Sequence, residues 1–209
     1  MDLPNNYKII KNVISDGIGC FAGCAQPGGA INGKDDDKII NKLQEGKNFE
    51  EAGIDKKLLS NLDSIYHEGI RTIYNLVLSS SNENPLSNRN PELLKRIWES
   101  SRYVGTTYIM EINGVSTGIE DFCPPSEKQL QLITEDAVRR IHNGEHILVH
   151  CQGGMGRTGT VLAAIYMKLI SEHNYTRAIE YIRSYYHQRA IETISQIESL
   201  KIFGEVISQ

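Results

Sequence analysis

The stretch VHCQGGMGRTGT, Val149 to Thr160, sets a cysteine at the end of an apolar run and follows it with four glycines and one arginine. A cysteine thiolate is among the strongest nucleophiles a chain can offer. Gly153, Gly154, Gly156 and Gly159 let the backbone take dihedrals that other residues avoid and turn its amides inward. Inward amides next to a helix N-terminus make an anion cradle, and they favour the thiolate. The C-x5-R spacing from Cys151 to Arg157 returns a guanidinium to face the thiol, and its planar fork suits two oxygens of one phosphate. The expected phosphate-binding loop is therefore Gln152, Gly153, Gly154, Met155, Gly156 and Arg157, with Cys151 as nucleophile. Thr158 brings a hydroxyl near the sulfur, where it can stabilise a departing thiolate, and His150 is expected to orient the loop from behind. The nucleotide-binding pattern G-x-x-x-x-G-K-[ST] does not fit, because no lysine follows the glycines. A core cysteine beside a tight turn is the commoner use of this residue. That use leaves Arg157, Thr158 and four glycines unexplained.

Such a loop has to sit where a strand ends and a helix begins. Arg71–Leu78, Thr106–Ile112 and Glu145–His150 are short, apolar and β-branched, and read as buried strands. Lys56–Gly69, Asn90–Ser101, Pro125–Gly144, Thr158–His173, Asn174–Gln188 and Thr193–Ile207 carry helical periodicity. Asn90 suits an N-cap with Pro91 first in its helix, a helix beginning at Pro125 or Ser126 stops at Gly144, and Gly69 ends another. Asp16–Lys38 is glycine-rich and reads as a short strand followed by a loop, and Ser79–Asn90 as a polar loop. Strands separated by helices imply an α/β fold, a central mostly parallel sheet flanked by helices on both faces. Cys151 would then lie at the carboxyl edge of the sheet, where such folds bind ligands.

The totals narrow the class. The chain has 209 residues with 40% hydrophobic side chains, enough for one domain with a core over about 17–206 and an arm at 1–16. A net charge of −4 offers no basic stripe for nucleic acid, and attraction to an anionic membrane is weak. MDLPNNYKII lacks the apolar core of a secretory signal, and the longest apolar run, from Val161, is too short to span a bilayer. A cytoplasmic monomer with four free cysteines is expected. Cys20 and Cys24 have no second ligand pair nearby and the histidines are scattered, so no metal site is expected. The run Lys34–Lys38 reads as solvated charge.

HCQGGMGRT matches H-C-x-x-G-x-x-R-[ST], and in this the chain resembles the cysteine-dependent protein tyrosine and dual-specificity phosphatases. That family also needs a mobile acid loop, and DFCPP, thirty residues ahead of Cys151, is similar to the loop of small atypical dual-specificity phosphatases. The resemblance makes Asp121 the general acid, with Glu120 ranked second. CFAGCAQPGG, Cys20 to Gly29, is similar to the first strand and turn of the cyclin-dependent-kinase-associated phosphatase group. AIETISQIESLKIF, Ala190 to Phe203, resembles that group's segment after the last loop and sets Gln196 near the site to position hydrolytic water. Two departures stand out: NGVSTG, Asn113 to Gly118, lengthens the approach to the acid loop, and Glu120 replaces a proline or small residue.

The resemblance implies a protein-tyrosine-phosphatase-like fold and a phosphoprotein substrate. It implies hydrolysis of phosphotyrosine, and secondarily of phosphoserine or phosphothreonine, through a phosphocysteine intermediate with no cofactor. Three other readings compete with it. A docking module that only binds phosphate would normally have lost Cys151, Arg157 or Asp121, and this chain keeps all three. Phosphoinositide phosphatases usually carry lysines inside the loop, and none is present here. Sulfurtransferases and arsenate reductases with a C-x5-R loop do not call for the Asp-x-x-Pro-Pro segment. A disulfide between Cys123 and an oxidised Cys151 is a lesser expectation.

Overall fold

The computed structural model describes residues 2–10, 19–28, 35–78 and 90–209. The 79–89 stretch, residues 16–18 and 29–34, and Lys34 of the acidic run lie outside the described residues.

Five strands form the main sheet: β1 (Lys8–Ile10), β2 (Phe21–Cys24), β3 (Ile70–Asn75), β4 (Thr107–Ile109) and β7 (His146–His150). Their order is β1-β2-β7-β3-β4, and every pairing is parallel except β1 on β2. The alternation of side chains across a strand sorts the core into two layers. Ala22, Cys24, Ile73 and Leu148 join α1 (Asp36–Gln44), α2 (Phe49–Ala52), α3 (Lys56–His67) and α4 (Pro91–Trp98). Phe21, Tyr74, Ile147 and Val149 join α5 (Glu127–His142), α6 (Gly156–Ile170), α7 (Tyr175–Tyr185) and α8 (Ile194–Ile207). β7 is central, and its Ile147–Val149 run is apolar on both faces, as a strand covered on both sides must be. The mostly parallel sheet with helices on both faces follows the reading of the sequence.

Three expectations need correction. Thr106–Ile112 is not one strand: β4 ends at Ile109, and β5 (Glu111–Ile112) turns back on β6 (Val115–Ser116) as a separate hairpin. Asn113 and Gly114, with φ of 51° and 75°, form its turn, the left-handed pair that Asn-Gly adopts readily. The inserted NGVSTG is therefore folded into a hairpin. Next, the acidic run is not simply solvated. Asp36 is 2% exposed and opens α1, and it accepts the Asn90 N–H at 2.8 Å ahead of α4. Finally, the arm supplies β1 and leads it in through Asn5, whose carbonyl accepts the Ala25 N–H at 2.8 Å.

The helix ends behave as their sequences require. Asn90 caps α4 with Pro91 at its first position, and Ser126 and Gln129 form a capping box on α5. Thr193 and Gln196 form another on α8. Helix α6 is buried almost all round, and it packs on bare backbone where β2 passes beneath it. A Cβ at Gly23 would lie 2.7 Å from both Leu162 Cδ1 and the Tyr186 ring. No helix among the described residues is long and apolar enough to cross a membrane. Gly23→Val is expected to cost about 1–3 kcal/mol through overpacking at this crossing, read as a lower urea midpoint at unchanged m-value.

Candidate active site

The loop from Cys151 to Gly156 joins the end of β7 to the start of α6, and four of its carbonyls are pulled outward. The Gln152 carbonyl accepts the Gln26 N–H at 3.1 Å, and the Gly153 carbonyl accepts the Asn6 side-chain amide at 2.8 Å. The Gly154 carbonyl accepts the Tyr186 hydroxyl, and the Met155 carbonyl accepts the N–H groups of Gly159 at 2.9 Å and Ile191 at 3.4 Å. A trans peptide sets its N–H opposite its C=O, and no bond among the described residues is cis. The amides of Gly153, Gly154, Met155 and Gly156 must then face the other way, into the cavity. The Gly154 N–H already points at Cys151 Sγ from 3.2 Å. Of the four glycines only Gly154 uses a left-handed φ, 73°, and a Cβ there would lie 2.5 Å from the Cys24 carbonyl carbon. Gly156 and Gly159 are helical instead, and their missing side chains let the turn around Ala190–Glu192 press against the loop.

Behind the loop, His150 is fully buried and held at both ring nitrogens. Nδ1 lies 3.3 Å from the Cys151 carbonyl, which only accepts, so Nδ1 carries the hydrogen and Nε2 receives the Tyr108 hydroxyl at 2.8 Å. Burial, with the Arg157 charge adding to it, pushes His150 down to about 4. The ring is a neutral strut. Thr158 Oγ1 is buried and without a hydrogen-bond partner among the described residues. It stands as an orphan polar atom one residue beyond Arg157.

Arg157 is 3% exposed. Nη1 donates to the Ile119 carbonyl at 2.8 Å and reaches the Leu76 carbonyl at 3.5 Å, while Nη2 meets Asp121 Oδ1 at 2.7 Å. The acid loop is fixed up to that point. Thr117 Oγ1 donates to the Asn75 carbonyl at 2.6 Å, and the Gln129 amide donates to the carbonyls of Ser116 and Gly118 at 2.9 and 2.8 Å. Glu120, Asp121 and Phe122 then emerge into solvent, Phe122 with φ of 60°. Cys151, Arg157 and Asp121 share one cavity of about 410 Å³ with Gln152, Gly153, Met155 and Gly156. Arg157, with the inward amides, is suited to hold an oxyanion above the sulfur, and a carboxylate stands at its edge.

A family model described as Tc-R-P, polymorphic toxin system, DSP-PTPase phosphatase, matches residues 50–170, which contain both the cysteine loop and the acid loop. The chain belongs to this phosphatase family. Two proteins of Methanocaldococcus jannaschii, described as uncharacterized, are 40% and 36% identical over 91 residues, 44% of this chain. The matches span 59% and 55% of those proteins, so the chain aligns with little more than half their length. Kinase-associated phosphatase, solved with its catalytic cysteine replaced by serine, superposes with a TM-score of 0.68 at 18% identity over 100% of this chain and 98% of its own. Tk-PTP in its active form gives 0.54 at 24% identity over 91% and 93%. PTPMT1 in complex with PI(5)P gives 0.51 at 20% identity over 69% and 82%. These three share the dual-specificity phosphatase fold with this chain.

On that fold the remaining residues can be placed. Gln196 is buried at the cavity wall, with Oε1 accepting the Glu192 N–H at 2.8 Å and Nε2 3.4 Å from the Cys123 carbonyl. Cys123 Sγ lies 3.7 Å from Glu120 Oε2, and partial burial and that carboxylate push the thiol up. Both it and Cys151 are free thiols. Glu120 does not line the cavity. Sequence reasoning missed Asn5, Asn6, Phe122 and Glu192, which do line it, and Tyr186 and Tyr108, which brace it.

Two outcomes are expected of this geometry. Tyr186→Phe frees the Gly154 carbonyl and should weaken vanadate binding by roughly 3- to 10-fold, one hydrogen bond's worth. His150 stays neutral when folded down to about 4, against 6.5 for the free side chain, so below pH 6.5 the unfolded chain takes the proton first. Stability is therefore complete above pH 6.5 and falls toward pH 4 by about 3 kcal/mol from this group. A His150→Asn protein should lack that part of the slope in urea titrations at stepped pH.

Proposed function

We propose that the protein hydrolyses phosphoproteins, phosphotyrosine first and phosphoserine or phosphothreonine second, through a phosphocysteine intermediate. The observation that carries this reading is the convergence of Cys151, Arg157, Asp121 and four outward-tethered loop peptides on one cavity. The incoming phosphate displaces Asp121 from Nη2 of Arg157 and takes its place against the guanidinium and the amides. Cys151 Sγ attacks phosphorus as a thiolate. A P–S bond forms and the P–O bond to the leaving group breaks; Asp121, which takes up a proton from solvent once it has left Arg157, gives that proton to the leaving oxygen. Water then attacks phosphorus, Asp121 takes back a proton, and the thiolate departs. The orphan hydroxyl of Thr158 stabilises this thiolate. The Oε1 atom of Gln196 is already engaged by the α8 cap, so positioning of water falls to Nε2. Charge held by the loop and Arg157 contributes most to the rate. No cofactor or metal enters the scheme, and the protein acts as a monomer in the cytoplasm.

A phosphoinositide substrate is the second reading, favoured by the shared fold with PTPMT1. The loop side chains Gln152 and Met155 add no cation to Arg157, and Glu192 and Asp121 flank the cavity. That balance favours a singly phosphorylated group over a polyanion.

Hydrolysis of p-nitrophenyl phosphate and a phosphotyrosine peptide in EDTA is expected, with none by Cys151→Ser, which should still bind vanadate non-covalently. Asp121→Ala should slow turnover by roughly 10²- to 10⁴-fold and lose the alkaline limb of the kcat/KM profile. Wild-type protein that binds vanadate without turnover would instead be a docking module. An unchanged profile in Asp121→Ala would pass the acid role to Glu120.

A further inference from the structure

The acid loop has a second side. Behind it, between the loop and α8, lies a separate cavity of about 280 Å³ with Pro125, Leu130, Ile202 and Phe203 in its lining and Glu127 and Glu198 at its edges. It is joined to the catalytic cavity through the loop itself, because Thr193 Oγ1 donates to the Phe122 carbonyl at 3.3 Å and Gln196 Nε2 reaches the Cys123 carbonyl at 3.4 Å. Apolar side chains are exposed on this side: Phe122, of the catalytic cavity's lining, is 65% accessible, Ile202, of the second cavity's, 49%, and Ile194 at the start of α8 76%. Ile194, Glu198 and Ile202 follow one another at four-residue steps on one face of α8. Two large apolar side chains exposed on one helix face, with Phe122 exposed on the neighbouring loop, suit a partner's apolar group.

The charge on this track has one sign. Glu192 reaches the lip of the catalytic cavity, where a Cβ on Gly156 would lie 2.8 Å from its Oε2. Its backbone follows Ile191, whose φ of 63° is a strained conformation for a β-branched residue. That turn is pinned by Arg183, which donates to the carbonyls of Ala190 and Ile191 at 3.0 Å each. Among the described residues no cation lies within 4 Å of Glu127, Glu192 or Glu198. Lys128 and Lys201 are one residue further on, about 100° round their helices. A phosphate dianion bound in the loop thus has Arg157 on one side and the unpaired carboxylate of Glu192 at the lip, with Glu127 and Glu198 further along the track.

We infer that the surface shared by the acid loop and the start of α8 docks the segment of a phosphoprotein that flanks its phosphoresidue, and that it selects segments carrying an apolar anchor and a lysine or arginine. This rests on the phosphoprotein reading above and names the class of protein within it. The apolar anchor fills the cavity at Ile202, and the basic residue meets Glu192, relieving the repulsion it exerts on the phosphate, or Glu198 beside the anchor. An anionic bilayer meets the same carboxylates unfavourably.

The test measures Kd on the native enzyme for four peptides that differ only in their flanks, each carrying the non-hydrolysable difluorophosphonomethyl analogue of phosphotyrosine. The flanks pair leucine or asparagine with arginine or glutamate. The leucine–arginine peptide should bind about tenfold or more tighter than the asparagine–glutamate peptide at low salt, with the arginine part of the gap closing as salt screens it and the leucine part remaining. Glu192→Gln and Glu198→Gln should shrink the arginine preference, and Ile202→Ser the leucine preference, while Glu198→Asp keeps most of the former. Equal Kd for all four peptides would overturn the inference. So would a preference untouched by these variants, or tighter binding to phosphatidylcholine vesicles containing a monophosphorylated inositol lipid than to any peptide. Turnover of p-nitrophenyl phosphate, measured beside this, separates the two readings. Flank-dependent binding without turnover keeps the docking surface and removes the catalysis, and turnover without flank dependence does the reverse.

Discussion

Everything at this site depends on the planarity of four peptide groups. Once the carbonyls of Gln152, Gly153, Gly154 and Met155 are drawn outward, the amides that follow them have no choice of direction. Each carbonyl is held by one hydrogen bond, or two at Met155, each worth about 1 kcal/mol net. Their value is in preorganisation, since dipoles already aimed at an anion need no rearrangement when it arrives. The tethers come from Asn6 before β1, Gln26 after β2, Tyr186 at the end of α7 and Ile191 ahead of α8. The edge strand and the last two helices thus act on the loop from three directions, and the arm is part of the cradle's wall.

The same loop shows what a sequence can and cannot disclose. Cys151, Arg157 and the glycines announce an anion site because chemistry needs those types at that spacing. β7 and α6 on either side of it are legible from apolar runs and a change of period. The tethers are not legible: Asn6 and Gly153 are 147 positions apart and belong to no pattern. Glu192 is hidden for a similar reason, since its place at the lip comes from the left-handed turn at Ile191, and a β-branched residue gives no hint of that conformation. The hairpin after β4 is the opposite case. Its Asn113–Gly114 pair is a strong turn signal, overlooked because the apolar run of Thr106–Ile112 reads as one strand. The buried Asp36 was obscured by its company, because an acidic run looks solvated until a partner such as the Asn90 amide is known.

Arg157 joins the loop to the rest of the domain's chemistry. One edge of the guanidinium is committed to the carbonyls of Leu76 and Ile119, so the cation cannot leave for solvent, and only the Nη2 edge changes partner. That partner is Asp121. The carboxylate is half-exposed, so the pair is weakly held against a competing dianion. Under the proposed mechanism, filling the anion site and freeing Asp121 are one event, and the loop that carries Asp121 needs no separate sensor of substrate.

A cradle built this way is strong in direction and modest in charge. Backbone dipoles and one arginine suffice for a single phosphate, and the loop side chains from Gln152 to Gly156 add no further cation. Affinity for phosphate alone is therefore limited, and discrimination has to come from what surrounds the phosphorus. The surroundings are Phe122, Ile194 and Ile202 with unpaired carboxylates between them, a surface that rewards apolar contact and positive charge and resists added anions. In the proposed reading, the restraint inside the loop is what leaves the choice of substrate to that outer surface.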